Sequence, residues 1–344
     1  MPPSATALRL AAKFKGQTLR LPNLKGLLAK WPRAVSPHYP ELKEIVESKI
    51  VEWIPDEHSR AKARKSAYLS SLLSDGWYPF CPIDRLQTMC WYSMWIFLWD
   101  DVIEFQDMPV RIVQQQALKY IEYHLGLALA SAAEPPAPTK YCALFQHCAK
   151  PLRGWCTISE RRRFLDQISN YMDGCEVEQK FTQSGKIPTL HEYWDHRLQT
   201  SSVWTYCAIS DYMGGVHLPE EMFEWDELKA LWFELNRHIV TLNDMVSFKK
   251  EVVKCSFHSL IPVVTQETGA DLATVVDSLI KSLVNIGNNL DKAVDDLIAR
   301  IKGNAELEDA VEKDAVGYRT NLTGNYWWSL GLWETRACVK DPSR

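Results

Sequence analysis

Trp91-Tyr92-Ser93-Met94-Trp95-Ile96-Phe97-Leu98-Trp99-Asp100-Asp101-Val102-Ile103-Glu104 is an almost wholly apolar run that ends on acids. The apolar character begins near Ile83, reaches Phe105 and stops before Pro109. Such a segment is too long for a strand and too hydrophobic all round for a surface helix, so it predicts a helix buried at the centre of a helical protein. On that helix Asp100 and Glu104, four positions apart, share a face, and Asp101 lies about 100° round from Asp100. Carboxylates crowded at the end of an apolar helix repel one another unless a cation neutralises them. An oxygen-only cluster suits a hard divalent ion such as Mg²⁺, which takes one or two protein carboxylates and completes its shell with water and phosphate. The plain alternative is a helix end that solvates its acids, and the motif by itself does not choose between the two.

Outward from this segment the patterning stays helical. Residues 41–53 and 59–74 precede it, with a break at Asp75-Gly76-Trp77-Tyr78-Pro79. A loop at 133–138, with Pro135, Pro136 and Pro138, follows it and has the character of a linker. Beyond the linker, residues 161–182, 190–212, 220–253, 272–302 and 305–335 read as helices, with stops at Gly214-Gly215, Gly269 and Gly303. There is no alternating β-pattern, no repeat and no glycine-rich phosphate loop. Neither half holds a complete site, so the reading is all-α, one bundle domain over residues 36–340 with a central active-site cavity. Residues 1–35 carry Arg9, Lys13, Lys15, Arg20, Lys25, Lys30 and Arg33, with no acid before Glu41. Pro2, Pro3, Pro22 and the scarcity of serine argue against a transit peptide, which leaves a basic, partly disordered arm.

The 344 residues carry a net charge of −4, so there is no basic excess to attract a nucleic acid and any phosphate must be held locally. Nine cysteines without a CxxC pair read as reduced thiols of a cytoplasmic protein. No run approaches the roughly 18 apolar residues that a membrane span requires. A monomer and a homodimer are both compatible with this composition.

A second oxygen-rich motif lies about 140 residues after the first, at Asn243-Asp244-Met245-Val246-Ser247-Phe248-Lys249-Lys250-Glu251. Asn243, Ser247 and Glu251 are spaced i, i+4, i+8, which puts an amide oxygen, a hydroxyl and a carboxylate in one stripe along a helix. A stripe of this kind beside Lys250 suits a Mg²⁺ whose other ligands are phosphate oxygens, with the lysine on the phosphate itself. An ordinary polar helix face is the alternative.

Taken together and in this order, the two motifs resemble those of class I terpene synthases, and in detail the microbial, especially fungal, sesquiterpene synthases. The resemblance runs from about Pro22 to Arg336. It implies a class I terpenoid synthase α-bundle and three Mg²⁺ ions, with Mn²⁺ as a possible substitute. By that resemblance Asp100 is the principal ligand of two ions, supported by Asp101 and Glu104, and Asn243, Ser247 and Glu251 hold the third. Arg197 stands where the family has its diphosphate-sensing arginine, with Thr200 as linker and Ser201 at the effector carbonyl. Gly324-Asn325-Tyr326-Trp327-Trp328-Ser329 resembles the approach to the family's terminal Arg-Tyr pair, but here the arginine, Arg336, comes late and Ala337 replaces the tyrosine. Tyr318-Arg319 is a reversed pair upstream.

The resemblance implies ionisation of an isoprenyl diphosphate, most simply farnesyl diphosphate, and cyclisation of the resulting carbocation. A cation needs a dry pocket with aromatic faces and no nucleophile to trap it. Fourteen tryptophans supply such a wall, and Ile96, Phe97 and Trp328 are its candidate members. A trans-prenyltransferase would use the same bundle and Mg²⁺ but would carry a second aspartate-rich motif. The only late aspartate pair, Asp295-Asp296, lacks the following acid. A non-catalytic isoprenoid-binding protein is the remaining alternative, supported by the missing tyrosine.

Overall fold

The computed structural model describes residues 5–54, 56–104, 110–255 and 257–337. Within them the chain forms fifteen α-helices and no strand. Two short helices, α1 (Ala5–Phe14) and α2 (Lys25–Leu28), lead into α3 (Tyr39–Trp53), α4 (Glu57–Trp77), α5 (Ile83–Glu104) and α6 (Val110–His124). After the 133–138 loop come α7 (Phe145–Trp155), α8 (Ile158–Ser184), α9 (Leu190–Thr200), α10 (Val203–Cys207) and α11 (Ser210–Gly214). The remaining helices are α12 (Asp226–Lys254), α13 (Leu260–Thr268), α14 (Leu272–Ile301) and α15 (Ala305–Ala337). Their starts are written locally. Asp56 and Asp271 accept from the amides of Ser59 and Thr274, and Thr157/Glu160 and Thr189/Glu192 form capping boxes at α8 and α9.

Helix α5 occupies the centre, as its composition requires. Trp95 and Trp99 on it are completely buried and stack at 6.0 Å, and Leu86, Tyr92 and Leu98 are equally enclosed. Helices α4, α7 and α3 surround it, while α12 lies against both α14 and α15. Polar cross-links fix its rotation: the Tyr206 hydroxyl donates to Ser93 Oγ at 3.0 Å, and Tyr92 donates to Thr205. Both halves of the sequence share one hydrophobic core. No helix of the described residues is long and apolar enough to cross a membrane, and the eight described cysteines are free thiols.

Within the basic leading segment, α1 buries Leu10 and Phe14, and Phe14 meets Phe248 edge-on at 4.9 Å. Farther along, Lys30 pairs with Asp291 at 2.8 Å and Arg33 lies 3.7 Å over the Trp327 ring. Lys25, Lys30 and Arg33 thus answer an acid on α14 and an aromatic face on α15, which sequence neighbours cannot reveal. Next, α4 continues through the predicted break as far as Trp77, because Gly76 is there for close packing. A Cβ on Gly324 of α15 would stand only 2.3 Å from the Gly76 carbonyl oxygen and 3.0 Å from Trp77 Cδ1. Finally, the single helix expected over 190–212 is three, broken first at Ser202, whose φ of 60° is left-handed.

The close approach of α4 and α15 is testable. Gly324→Ala should lower the free energy of unfolding by about 1–3 kcal/mol through overpacking. Gly317→Ala, on the same helix but with nothing within 4 Å of a Cβ, should raise it by up to about 1 kcal/mol. Urea titration of the two proteins decides; equal stability would mean that the helices part freely.

Candidate active site

The first motif ends α5 and the second lies in the last third of α12, so both sit at the same mouth of the bundle as the α9–α10 break. Asp100 is exposed at the rim, and its Oδ1 accepts from the Tyr171 hydroxyl of α8 at 3.3 Å. Asp101 and Glu104 belong to the last turn of α5, but their side chains lie outside the described residues, as does that of Arg336 in the last turn of α15. Facing Asp100 across the opening are Arg197 of α9 and Asn243 of α12, which line the same cavity.

Arg197 is held by a buried carboxylate. Its Nη2 donates to Asp244 Oδ1 at 3.0 Å and to Asn243 Oδ1 at 3.3 Å. The other Asp244 oxygen accepts from the Tyr193 hydroxyl and from the Leu260 backbone amide at 2.7 Å. Burial by itself would lower the pKa of the guanidinium, but Asp244, with Tyr193 and Glu178 beyond it, more than offsets this and displaces it upward. The arginine is therefore a permanent cation fixed in place, with a planar fork suited to phosphate. Asp244 and Tyr171 escaped the sequence reading. Asp244 stands between two singled-out motif residues, yet only its partners on α9 and α13 reveal its work.

Along α12 the predicted stripe is present. The Ser247 hydroxyl donates to Glu251 Oε1, while Glu251 Oε2 is enclosed without a hydrogen-bond partner. Burial, then the nearby Asp244 charge, pushes the Glu251 carboxyl up to about 7. An enclosed carboxylate oxygen with nothing to bind, in line with a hydroxyl and an amide oxygen, is the donor set a hard divalent cation takes. The stripe contributes a single carboxylate, and no group of three or more His, Cys, Asp or Glu residues placed to hold a metal occurs among the described residues. Lys250 is exposed on the neighbouring face of α12 and does not line the cavity.

Between α9 and α10 the chain turns at Ser201-Ser202. Thr200 closes α9, and its hydroxyl donates to the Arg197 carbonyl at 3.4 Å. Ser201 Oγ donates to Asn236 Oδ1 at 2.7 Å and accepts from the Val203 amide at 3.2 Å. These bonds hold the break against the cavity, which both residues line. Below the polar rim the walls are apolar: Ile96 is buried, and Phe97 stacks on Trp328 at 5.9 Å with an interplanar angle of 11°. Leu73, Trp77, Val203, Tyr206 and Ile239 complete them, and the space they enclose is about 750 Å³ including its open mouth.

A polar rim of this composition over a dry aromatic chamber can hold a charged head group and fold an apolar tail. The family model described as terpene synthase family 2, C-terminal metal binding, matches residues 92–285, which include both motifs. Sesquiterpene cyclase hepA of Aspergillus oryzae is 30% identical over 338 residues, 93% of this chain and 90% of that protein. The chain belongs to the terpene synthase family. Among other relatives of this terpene synthase, 10-epi-cubebol synthase of Sorangium cellulosum is 23% identical, covering 89% of this chain and 96% of that protein. The fold also matches linalool/nerolidol synthase from Streptomyces clavuligerus in complex with 2-fluorogeranyl diphosphate. Its TM-score is 0.72 at 16% identity, over 88% of this chain and 97% of that one.

The elevated Glu251 pKa gives the apoprotein of this terpene synthase a pH signature. In metal-free buffer the folded state binds the Glu251 proton more tightly than the unfolded chain does, so stability falls as pH rises from the ordinary carboxylate range through about 7. Glu251→Gln removes this dependence. Between about pH 5 and pH 8 the unmodified protein should lose about 1–3 kcal/mol relative to the glutamine variant. Parallel curves in denaturant titrations at the two pH values would contradict it.

Proposed function

We propose that this terpene synthase ionises farnesyl diphosphate in the presence of Mg²⁺ and cyclises the carbocation to a sesquiterpene hydrocarbon or alcohol. The observation that carries the reading is the placement of Asp100, Arg197 and Asn243 around the mouth of one aromatic-walled chamber. Relatives named as sesquiterpene cyclases, and a fold neighbour that holds a fluorinated geranyl diphosphate, support it.

Asp100, Asp101 and Glu104 on one side and Asn243, Ser247 and Glu251 on the other would hold the ions. When bound, Mg²⁺ supplies neutralising charge for a diphosphate leaving group. Arg197 grips that group bidentately from a position Asp244 fixes in advance, so no reorganisation is needed as charge develops. Lys250 and Arg336 are candidate second contacts. Thr200 couples the arginine to the Ser201 turn, which would present a backbone carbonyl towards the reacting carbon. No general acid is required, since the leaving group departs as an anion. Phe97, Trp328 and Trp77 then offer ring faces to the cation while Ile96 and Ile239 exclude water. Free, mostly buried thiols fit a cytoplasmic protein.

The prenyltransferase alternative loses ground here. Asp295 and Asp296 are exposed on α14, and Asp296 pairs with Lys292. Arg319 is also accounted for elsewhere, since it bonds to Asp291 at 3.4 Å.

Incubation with farnesyl diphosphate and Mg²⁺, followed by gas chromatography of an organic extract, tests the reading. Asp100→Asn and Glu251→Gln should each reduce turnover at least about a hundredfold; near wild-type rates in both would refute the metal assignment. Phe97→Ala or Trp328→Ala should alter the ratio of products more than the rate of substrate consumption, because ring faces steer a cation already formed. Arg336→Lys should fall well below wild type and Arg319→Lys should be nearly silent in steady-state kinetics. The opposite ranking would transfer the diphosphate contact to Arg319.

A further inference from the structure

A second cavity lies directly beneath the first. Its empty volume is about 950 Å³ including its opening to solvent, where Phe80 and Val316 are exposed, and its lining is largely apolar, with Tyr78 and Met213 also among its residues. The two chambers share one residue, Trp77. On α15 Asn325 lines the upper chamber and Asn321, one turn away, lines the lower; across the bundle Tyr206 of α10 lines the upper and Ser210 of α11 the lower.

Trp77 is placed firmly between them. It is 97% enclosed, at 3% exposure, and its ring meets Tyr206 edge-on at 5.1 Å. The Thr320 hydroxyl donates to its backbone carbonyl at 2.9 Å, and Gly324 leaves it just the room it occupies. Its indole Nε1 has no hydrogen-bond partner, so packing rather than a polar contact holds the ring there. Below it, Gly317 lines the second chamber and a Cβ at that position would meet nothing within 4 Å.

We infer that Trp77 is the floor of the substrate chamber and sets the length of isoprenoid chain the enzyme accepts. The chamber beneath is then space for one further isoprene unit that the indole withholds. This inference rests on the isoprenyl diphosphate reading above.

The test compares kcat/KM for farnesyl and geranylgeranyl diphosphate in wild type, Trp77→Ala and the milder Trp77→Leu. Removing the floor should raise the ratio of longer to shorter substrate at least about tenfold in Trp77→Ala, with a smaller rise in Trp77→Leu. Adding Gly317→Leu to either variant refills the lower chamber and should reverse the gain, while Gly317→Leu alone should leave farnesyl diphosphate turnover unchanged. Should Trp77→Ala fail to fold, Trp77→Leu gives the same directional result. An unchanged ratio in a folded, farnesyl-active variant overturns the floor assignment and spares the functional reading. A gain that Gly317→Leu fails to reverse also overturns it. Wild-type enzyme inactive on both substrates overturns the functional reading, and the floor with it.

Discussion

A carboxylate taken out of water must find partners or give up its charge, and Asp244 finds three. It is 1% exposed, and its two oxygens are satisfied by Arg197, Tyr193 and the Leu260 amide together with the charge they share. Those partners come from α9 and α13, so one side chain of α12 fixes the positions of three helices at the mouth. A buried ion pair of this kind adds little net stability over an apolar alternative, and removing one member strands the other at a cost of about 3–5 kcal/mol. What it secures here is geometry. The guanidinium is held at the rim facing Asp100 before any ligand arrives.

The site divides its labour between rim and chamber. Charged and oxygen-rich side chains stay at the helix ends, where water or ligand can reach them. The chamber below is bounded by rings and aliphatic chains that offer neither proton acceptors nor nucleophiles of note. Its hydroxyls and amides are occupied: Tyr206 donates to Ser93, and the Asn325 amide reaches the Ile239 carbonyl at 3.5 Å. Occupied polar groups are poor traps for an electrophile. The same hydrogen bonds that fix the helices thus keep the interior chemically quiet.

Much of this was legible in the chain itself, for identifiable reasons. The α5 segment announces a buried helix by composition, and Asn243, Ser247 and Glu251 announce a shared face by spacing, because both are properties of a single helix. Asp244 and Tyr171 were not legible, because their partners are many residues away. The break at Ser202 was hidden for a similar reason: without glycine or proline to mark it, the left-handed backbone is held by the Ser201 hydroxyl, which donates to Asn236 and accepts from the Val203 amide. The Gly76 step misled in the opposite direction. A glycine that usually signals a stop instead admits the backbone of Gly324, and only the packed structure shows that it does.

The clasp of residues 24–33 on α14 and α15 also bears on how the molecule is made. Trp31 Nε1 donates to Asp291, and the Thr323 hydroxyl donates to the Pro32 carbonyl, across sequence separations of 260 and 291 residues. A ribosome releases this leading segment long before its docking surface exists. Until α14 and α15 emerge, Trp31 and Pro32 lack their partners Asp291 and Thr323, and contacts so distant in sequence close late. Helix α15 therefore completes the chamber wall with Asn325 and Trp328 and, in the same event, helps to capture residues 24–33, so that binding competence and the final ordering of that segment arrive together.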